Sequence, residues 1–227
     1  MLILVFVSPA CQKDIMVNLD NINPENIIQS EFKVYRMPWI AYAAIKEDSI
    51  VYSGAMGYAN LKDKVSFTTE TRMLIASTSK TILPTAILQL VEQGLITLND
   101  NINDYLPFEV INPHYPEKVI TVKMLLTHTA SISDGGYCDE LFYVYGYTDY
   151  PGSLGSFLKD YLHKTGQYYS SGSFTKEAPG KLYAYTNVGA ALIGYLVECV
   201  SGIDFNSYCK TYIFEPLGMT KTTWFFC

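Results

Sequence analysis

The chain has 227 residues, a formal net charge of −6 at pH 7, and a composition that is 49% hydrophobic and 17% charged. That length is enough for one large domain with a hydrophobic core. The acidic balance without a basic cluster argues against nucleic acid as a partner, and no apolar run reaches the ~18 residues of a membrane span.

The first eleven residues resemble an export signal. An apolar run from Met1 to Val7 is followed by the small residues Ser8-Pro9-Ala10 and then by Cys11. That order is typical of a secretory or bacterial lipoprotein signal, although no Lys or Arg precedes the run. The alternative is a buried first strand. We expect residues 1–11 to be a signal or lipoprotein segment, with a periplasmic protein or one lipid-anchored at the cell envelope through Cys11.

The remaining residues, 17–227, are predicted to form one domain. Residues 17–33 favour a helix over their second half. Two β-prone runs, Trp39–Ile45 and Ile50–Met56, are joined by a polar turn and predict a hairpin. Residues 57–72 predict a loop.

Ser77 and Lys80 stand three residues apart at the start of a strongly apolar helix that ends at Gly94. A serine hydroxyl is a poor nucleophile until a base takes its proton, and a lysine one turn away lies on the same face. At a helix start that is partly shielded from solvent, the pKa of a lysine is lowered, so that the lysine can act as a base. Ser77 is therefore a candidate nucleophile with Lys80 as its base. Pro84, inside the pattern, predicts a kink.

The spacing of this pair does not identify a site by itself, because it occurs four more times in the chain. An apolar stripe at helical periodicity follows Ser77 and separates it from the others, for which a surface serine near a surface lysine is the simpler interpretation. The other pairs are Ser30/Lys33, Ser156/Lys159, Ser173/Lys176 and Ser207/Lys210.

Downstream, Thr121 is a plausible N-cap for a helix over Val122–His128. Residues 130–156 are rich in glycine and aromatic residues and predict a long loop, which in compact domains often lines a site. The spacing of the five cysteines suggests neither a zinc site nor a dense disulfide framework. Further helices are predicted over Ser156–His163, Val188–Val200 and residues 204–214.

Tyr185 and Asn187 lie directly before one of these helices. Residues two apart in extended backbone point to the same side. A phenol beside a lysine ammonium can relay protons, and an asparagine amide can orient a substrate carbonyl and also bond the lysine. The alternative is a core tyrosine and a helix-capping asparagine. Tyr58-Ala59-Asn60 has the same pattern, so the tripeptide alone is weak.

In their order along the chain, these stretches resemble the serine β-lactamase-related family, the branch of class C β-lactamases, DD-peptidases and related esterases. The S-x-x-K motif at Ser77 is the nucleophile motif of such proteins. Residues 120–132 resemble the family's LLTHTSGL stretch, and Tyr185-Thr186-Asn187 resembles its second motif. The resemblance covers most of residues 38–223.

The resemblance implies an α+β fold, an antiparallel sheet flanked by helices with a helical subdomain beside it. It implies a serine hydrolase that forms an acyl-enzyme with an amide or ester, which could be a β-lactam, a D-amino-acid peptide or an ester. No cofactor or metal is implied, and the expected partner is a small-molecule or peptide substrate.

The family's site residues map onto four positions. Ser77 would be the acylated nucleophile, Lys80 its general-base partner, Tyr185 a proton relay and deacylation base, and Asn187 a substrate binder. The family's histidine in this region is structural, so His128 is not expected to be catalytic.

The family's third motif, K-T-G or H-x-G on a later strand, has no match after Tyr185. Lys164-Thr165-Gly166 spells it but precedes Tyr185 and ends a predicted helix. We expect the true motif beyond residue 227, in a chain truncated at its C-terminus that holds only the N-terminal hairpin of the sheet. The isolated chain is then expected to be poorly soluble and inactive. Ala130-Ser131 also replaces the usual Ser-Gly.

Two other functions stay open. One is a penicillin-recognising sensor that is acylated without turnover, and the other is an inactive fragment.

Overall fold

The computed structural model describes residues 23–135 and 152–225, which form two compact units, one ending at Leu74 and one beginning at Ile75. The candidate residues Ser77, Lys80, Tyr185 and Asn187 all lie in the second unit. Cys11 and most of the predicted long loop lie outside the described residues. The export signal and the lipid anchor therefore stay predictions.

The first unit contains one helix and a three-stranded antiparallel sheet whose strands lie side by side in chain order. The predicted hairpin is confirmed. Its two turn residues, Glu47 and Asp48, both have positive φ, as a tight hairpin turn requires. The elements are α1 at Pro24–Val34, β1 at Trp39–Lys46, β2 at Ser49–Asn60 and β3 at Val65–Ser66.

The loop predicted over residues 57–72 is partly wrong. Strand β2 continues to Asn60, and β3 returns beside it with Tyr58 opposite Ser66. A strand of two residues is too short to show an alternating pattern, so the sequence gives no signal for it. The described sheet therefore has one short strand more than the predicted hairpin.

The second unit begins with a 3₁₀ helix at Ala76–Thr81 that runs directly into α2 at Ile82–Glu92. Pro84 is the third residue of α2, within the first turn, where backbone N–H groups have no partner inside that helix. The sequence pattern placed Pro84 inside a longer helix, and the structure corrects that placement to the first turn of α2. The proline lies just after the change from 3₁₀ to α geometry, where its missing donor is tolerated.

The other predicted helices are confirmed with bounds shifted by one to a few residues. The helix Asn187–Ser201 is capped by Gly202, whose φ of 72° is the left-handed geometry expected there. Residues 204–214 form a short α-helix followed by a π-helical turn. The remaining elements are 3₁₀ turns at Ile102–Asp104 and Ser171–Ser173, α3 at Val122–Leu126, α4 at Leu154–Leu162, α5 at Asn187–Ser201, α6 at Phe205–Cys209 and the π turn at Lys210–Phe214.

Helix α5 is the centre of this unit and packs against α2, α3, α4 and α6. The inward face of α2 buries Leu83, Ala86, Ile87 and Leu90. Burying one such leucine or isoleucine fully stabilises a fold by roughly 1.5–3 kcal/mol. The packing of α2 on α5 therefore holds together the two chain segments that carry the candidate catalytic residues.

In the described parts of the chain, no single helix is long and apolar enough to cross a membrane. Helix α5 and the segment Phe205–Phe214 are long and apolar enough only when they are taken together, and their axes differ in direction by 81°.

Candidate active site

Ser77 and Lys80 lie on the 3₁₀ helix that precedes α2. Side chains at i and i+3 of a 3₁₀ helix are eclipsed, so this spacing places the lysine over the serine. The Lys80 Nζ donates a hydrogen bond of 3.1 Å to the Ser77 Oγ. Ala76, directly before the serine, has a φ of 45°, which is unusual for a residue with a Cβ.

The sequence predicted that Ser77 and Lys80 are partly shielded from solvent, and the structure shows this for only one of the two. Ser77 is exposed and Lys80 is partly buried. The reason is that the pair lies on the 3₁₀ turn, one step before the apolar stripe of α2 enters the core.

Tyr185 completes a cluster of three side chains. Its hydroxyl donates a hydrogen bond of 2.8 Å to the same Ser77 Oγ, across 108 residues of sequence. The Lys80 ammonium lies 5.0 Å from the centroid of the Tyr185 ring. The predicted nucleophile, base and relay are thus brought together around one oxygen atom.

The surroundings of Tyr185 favour its phenolate. Hydrogen bonding to Lys80 and then to Ser77 lowers the pKa of the Tyr185 phenol below its usual 10. Burial and the negative charge of Asp134 act in the opposite direction but do not prevail. A tyrosine that ionises more readily beside a serine hydroxyl can accept the proton of that hydroxyl.

His128 supports the segment that carries Tyr185. Its ring centroid lies 4.7 Å from that of Tyr185, and its Nδ1 accepts a 3.4 Å hydrogen bond from the Thr186 N–H. Burial, followed by the charge of Lys80, lowers the pKa of His128 below 6.5. The imidazole is therefore neutral at pH 7 and accepts from the backbone. These contacts suit the structural role that the resemblance implies.

Asn187 is the first residue of α5, and its side chain is held by Asp134. Its Nδ2 donates a 2.9 Å hydrogen bond to the Asp134 Oδ2. The cap of α5 is Thr186, whose hydroxyl accepts from the Gly189 N–H. The alternative of a helix-capping asparagine is therefore wrong. Asn187 follows Tyr185 closely, but its observed side-chain bond goes to the aspartate.

Asp134 is the residue of this region that the sequence analysis missed. Its carboxylate accepts hydrogen bonds from the Thr186 hydroxyl, the Asn187 backbone and amide, and the Val188 N–H. These partners lie 52 to 54 residues further along the chain. The one local signal is an acidic residue two positions after the stretch of residues 120–132.

The replacement of glycine by Ser131 also has a structural explanation. Ser131 is buried and has a φ of 60°, a conformation that favours glycine. Its hydroxyl accepts a 3.0 Å hydrogen bond from the Nδ2 of the fully buried Asn112, which also donates to the carbonyls of Thr175 and Glu177. This bond offsets part of the strain.

Two other matches to the motifs within the second unit have local explanations. Lys164-Thr165-Gly166 follows α4, as predicted, and Thr165 bonds to the neighbouring His163 ring. Ser156 and Lys159 are exposed on α4. Within residues 23–135 and 152–225, no three His, Cys, Asp or Glu side chains are grouped so that they could hold a metal ion.

Comparison with known proteins agrees with this geometry. The family model described as Beta-lactamase matches residues 25–226. PbpX of Bacillus subtilis (strain 168), provisionally named a penicillin-binding protein, is 30% identical over 177 residues, which are 78% of this chain and 39% of PbpX. The chain thus spans well under half the length of the curated relatives it matches.

Solved structures show the same fold. The octameric penicillin-binding protein homologue from Pyrococcus abyssi superposes with a TM-score of 0.63 at 26% identity, over 86% of this chain and 42% of that one. EstCE1, a hydrolase with promiscuous acyltransferase activity, superposes with a TM-score of 0.69 at 21% identity, over 86% of this chain and 50% of EstCE1. The chain has an α+β fold of the β-lactamase/transpeptidase type, and it belongs to the beta-lactamase family.

Proposed function

We propose that the protein is a serine hydrolase that transfers the acyl group of an amide or ester to Ser77 and then to water. The observation that supports this most is the shared Ser77 Oγ, which accepts hydrogen bonds from both Lys80 and Tyr185. A surface serine beside a chance lysine would not also meet a tyrosine from a segment 108 residues away. The family and fold are those of serine hydrolases.

In the acylation step, Tyr185 as a phenolate accepts the proton of Ser77 while the Oγ attacks the carbonyl carbon. Lys80, which the resemblance implies to be the general-base partner, is proposed to act through this phenolate: its ammonium stabilises both the phenolate and the developing alkoxide. The backbone N–H of Ser77 is one candidate donor to the oxyanion. The tetrahedral intermediate collapses when the proton on Tyr185 passes to the leaving group, which departs and leaves an ester on Ser77.

Deacylation uses the same groups in reverse. Tyr185, again as a phenolate, takes a proton from water, and the hydroxide attacks the ester carbonyl. The proton then returns to the Ser77 oxygen, and the carboxylic acid is released. Asn187, which follows Tyr185 on the same segment, is the proposed substrate-binding residue.

The proposed substrates are a β-lactam, a D-amino-acid peptide or an ester. The names of the penicillin-binding relatives and of EstCE1 support that range but do not choose within it. Export to the cell envelope, with attachment through Cys11, is a separate proposal that rests on residues 1–11 alone.

A fluorescent fluorophosphonate, applied to the protein expressed from its complete gene, tests the nucleophile. We expect Ser77→Ala to abolish labelling and the matched variant Ser156→Ala to label as the wild type, since Ser156 has the same spacing to a lysine on an exposed helix face. Labelling that persists in Ser77→Ala, or disappears in Ser156→Ala, would contradict the assignment.

Turnover separates a hydrolase from a sensor. The protein is acylated with a fluorescent penicillin, unbound penicillin is removed, and release of the label is followed with time. Release that is lost in Tyr185→Phe supports hydrolysis. A label that stays bound to Ser77 for hours supports the penicillin-recognising sensor.

A further inference from the structure

Asp134 makes more hydrogen bonds to the start of α5 than a helix cap requires. One carboxylate accepts from the Asn187 N–H at 2.8 and 2.9 Å, from the Val188 N–H at 3.0 Å and from the Asn187 Nδ2 at 2.9 Å, and the Thr186 hydroxyl also donates to it. A negative charge at this end of a 15-residue helix is favourable, since the backbone N–H groups there have no helical partner.

Capping alone does not explain this arrangement, because α5 already has a cap. The Thr186 hydroxyl accepts from the Gly189 N–H at 3.2 Å. What Asp134 adds is a bond to that hydroxyl and a bond to the Asn187 amide. Both are side chains of the Tyr185-Thr186-Asn187 segment.

Asp134 is itself held in place from another helix. Tyr161 of α4, which is 1% exposed, directs its hydroxyl at the backbone carbonyls of Ser133, at 3.0 Å, and Asp134. The buried Asn112 holds the same loop at Ser131. The carboxylate is thus a fixed point between α4 and α5.

We propose that Asp134 is a positioning residue of the active site, which sets the orientation of the Asn187 amide and the place of Tyr185 beside Ser77. A carboxylate only accepts hydrogen bonds, so it fixes Nδ2 towards itself and leaves Oδ1 facing away. Tyr185 is joined to this anchored pair through Thr186. The inference rests on the proposed function of Ser77.

The charges around Tyr185 give this role an observable besides activity. Lys80 and Ser77 face the phenol from the 3₁₀ helix, His128 faces its ring from the end of α3, and Asp134 acts from beyond Thr186. The negative charge of Asp134 raises the pKa of Tyr185, against the larger lowering by Lys80. Removing that charge while keeping a similar side chain should let the phenol ionise at lower pH.

The test compares Asp134→Asn with Asp204→Asn in the protein expressed from its complete gene. Asp204 is a matched control because it also caps a helix, α6, through a 3.0 Å hydrogen bond from the Ser207 N–H. Both variants should lose a few degrees of melting temperature. Only Asp134→Asn should change the site.

Three signals are measured. The ¹³C resonance of the Tyr185 ring, assigned by its loss in Tyr185→Phe, is titrated with pH, and the side-chain ¹⁵N–H₂ resonance of Asn187 is followed. The rate of Ser77 labelling by a fluorescent penicillin is the third. In Asp134→Asn we expect Tyr185 to titrate at lower pH and the Asn187 amide resonance to shift. Labelling should fall about 10- to 100-fold, because a misplacement of about 1 Å in a catalytic group can cost ~10²-fold in rate.

Asp134→Glu separates charge from geometry. It should bring the titration of Tyr185 back towards that of the wild type but restore labelling only in part, and it tests the inference if Asp134→Asn does not fold. An unchanged Asn187 resonance together with unchanged labelling in both variants would overturn the inference. If wild-type Ser77 takes no label while the two NMR signals respond as expected, the proposed function fails and the positioning role stands.

Discussion

Among single residues, the proposed chemistry depends on one oxygen atom. Ser77 Oγ is the common acceptor for Lys80 and Tyr185. The Ser77–Lys80 bond follows from spacing, because i and i+3 meet on one helix face. The bond to Tyr185 does not follow from any local pattern. It was expected only through the resemblance of ordered motifs to a known family.

Lys80 and Tyr185 should behave as one unit, because the lysine ammonium stabilises the phenolate that accepts the proton of Ser77. We expect Lys80→Ala and Tyr185→Phe each to lower the second-order rate of Ser77 acylation about 10²- to 10⁴-fold. The double variant should lose little more than the worse single variant, because groups that act together are not additive. Stopped-flow labelling with a fluorescent penicillin measures this, with Lys159→Ala as the control. The shared role would be refuted if the two losses multiplied in the double variant, or if Tyr185→Phe kept a near-normal acylation rate.

The direction of the Tyr185 pKa predicts a pH profile. The phenolate is the basic form, and hydrogen bonding to Lys80 and Ser77 moves its formation below pH 10. Acylation should therefore rise with pH as Tyr185 ionises, with the midpoint of the rise at a lower pH than for an ordinary tyrosine. Rates measured between pH 6 and 10 in one buffer series check this. A rate that falls as the pH rises through that range would contradict Tyr185 as the base.

At the scale of elements, the change from 3₁₀ helix to α2 sets the geometry of the Ser77–Lys80 pair. Apolar periodicity predicted a helix here but not its type. Pro84 lacks the N–H that would bond to the Lys80 carbonyl if the α-helix extended backwards. The proline thus favours the eclipsed 3₁₀ arrangement of Ser77 and Lys80.

Replacing that proline should separate stability from activity. We expect Pro84→Ala to change the free energy of unfolding by about 1 kcal/mol or less. Labelling of Ser77 should fall several-fold, because an α-helical turn offsets the side chains at i and i+3 that a 3₁₀ turn eclipses, and so lengthens the 3.1 Å contact between Lys80 and Ser77. Leu88→Ala, on the exposed side of α2, is the control and should leave labelling intact. Equal labelling of Pro84→Ala and wild type would show that the 3₁₀ turn does not depend on the proline.

The loop that carries Asp134 makes a second test of element geometry. Ser131→Ala keeps the strained positive φ and loses the bond from Asn112, so it should destabilise the protein by ~1–2 kcal/mol. Ser131→Gly loses the same bond but relieves a strain of similar size, so its loss should be less than half as large. Urea denaturation of both variants checks the order. A glycine variant that is as unstable as the alanine variant would contradict this.

At the scale of the whole molecule, apolar patterns predicted most helices but not the contacts between distant segments. Helices α2 and α5 were predictable because their buried faces repeat at helical spacing. Asp134 was missed because its partners lie 52 to 54 residues away. Strand β3 was missed because its two residues carry no pattern.

His128 makes the stability of the molecule depend on pH. Its pKa is lowered in the folded state by burial and by Lys80, so the folded protein binds fewer protons than the unfolded chain just below pH 6.5. The contribution of His128 to stability is present above pH 6.5 and is lost as the pH falls through the folded pKa. Melting temperatures from pH 8 to 5 should therefore decline less steeply in His128→Asn than in wild type. Parallel declines would contradict a depressed pKa.

In the proposed reaction, the substrate becomes covalently attached to Ser77 and leaves with the help of Tyr185. The most direct measurement is intact mass spectrometry of Tyr185→Phe, in the protein expressed from its complete gene, after incubation with a penicillin, followed by peptide mapping. After an incubation long enough to offset the slower acylation of this variant, we expect one added penicilloyl group on the peptide that contains Ser77, longer-lived than in the wild type, and no adduct in Ser77→Ala. An adduct on another serine, or an adduct that Tyr185→Phe releases as fast as the wild type, would contradict it.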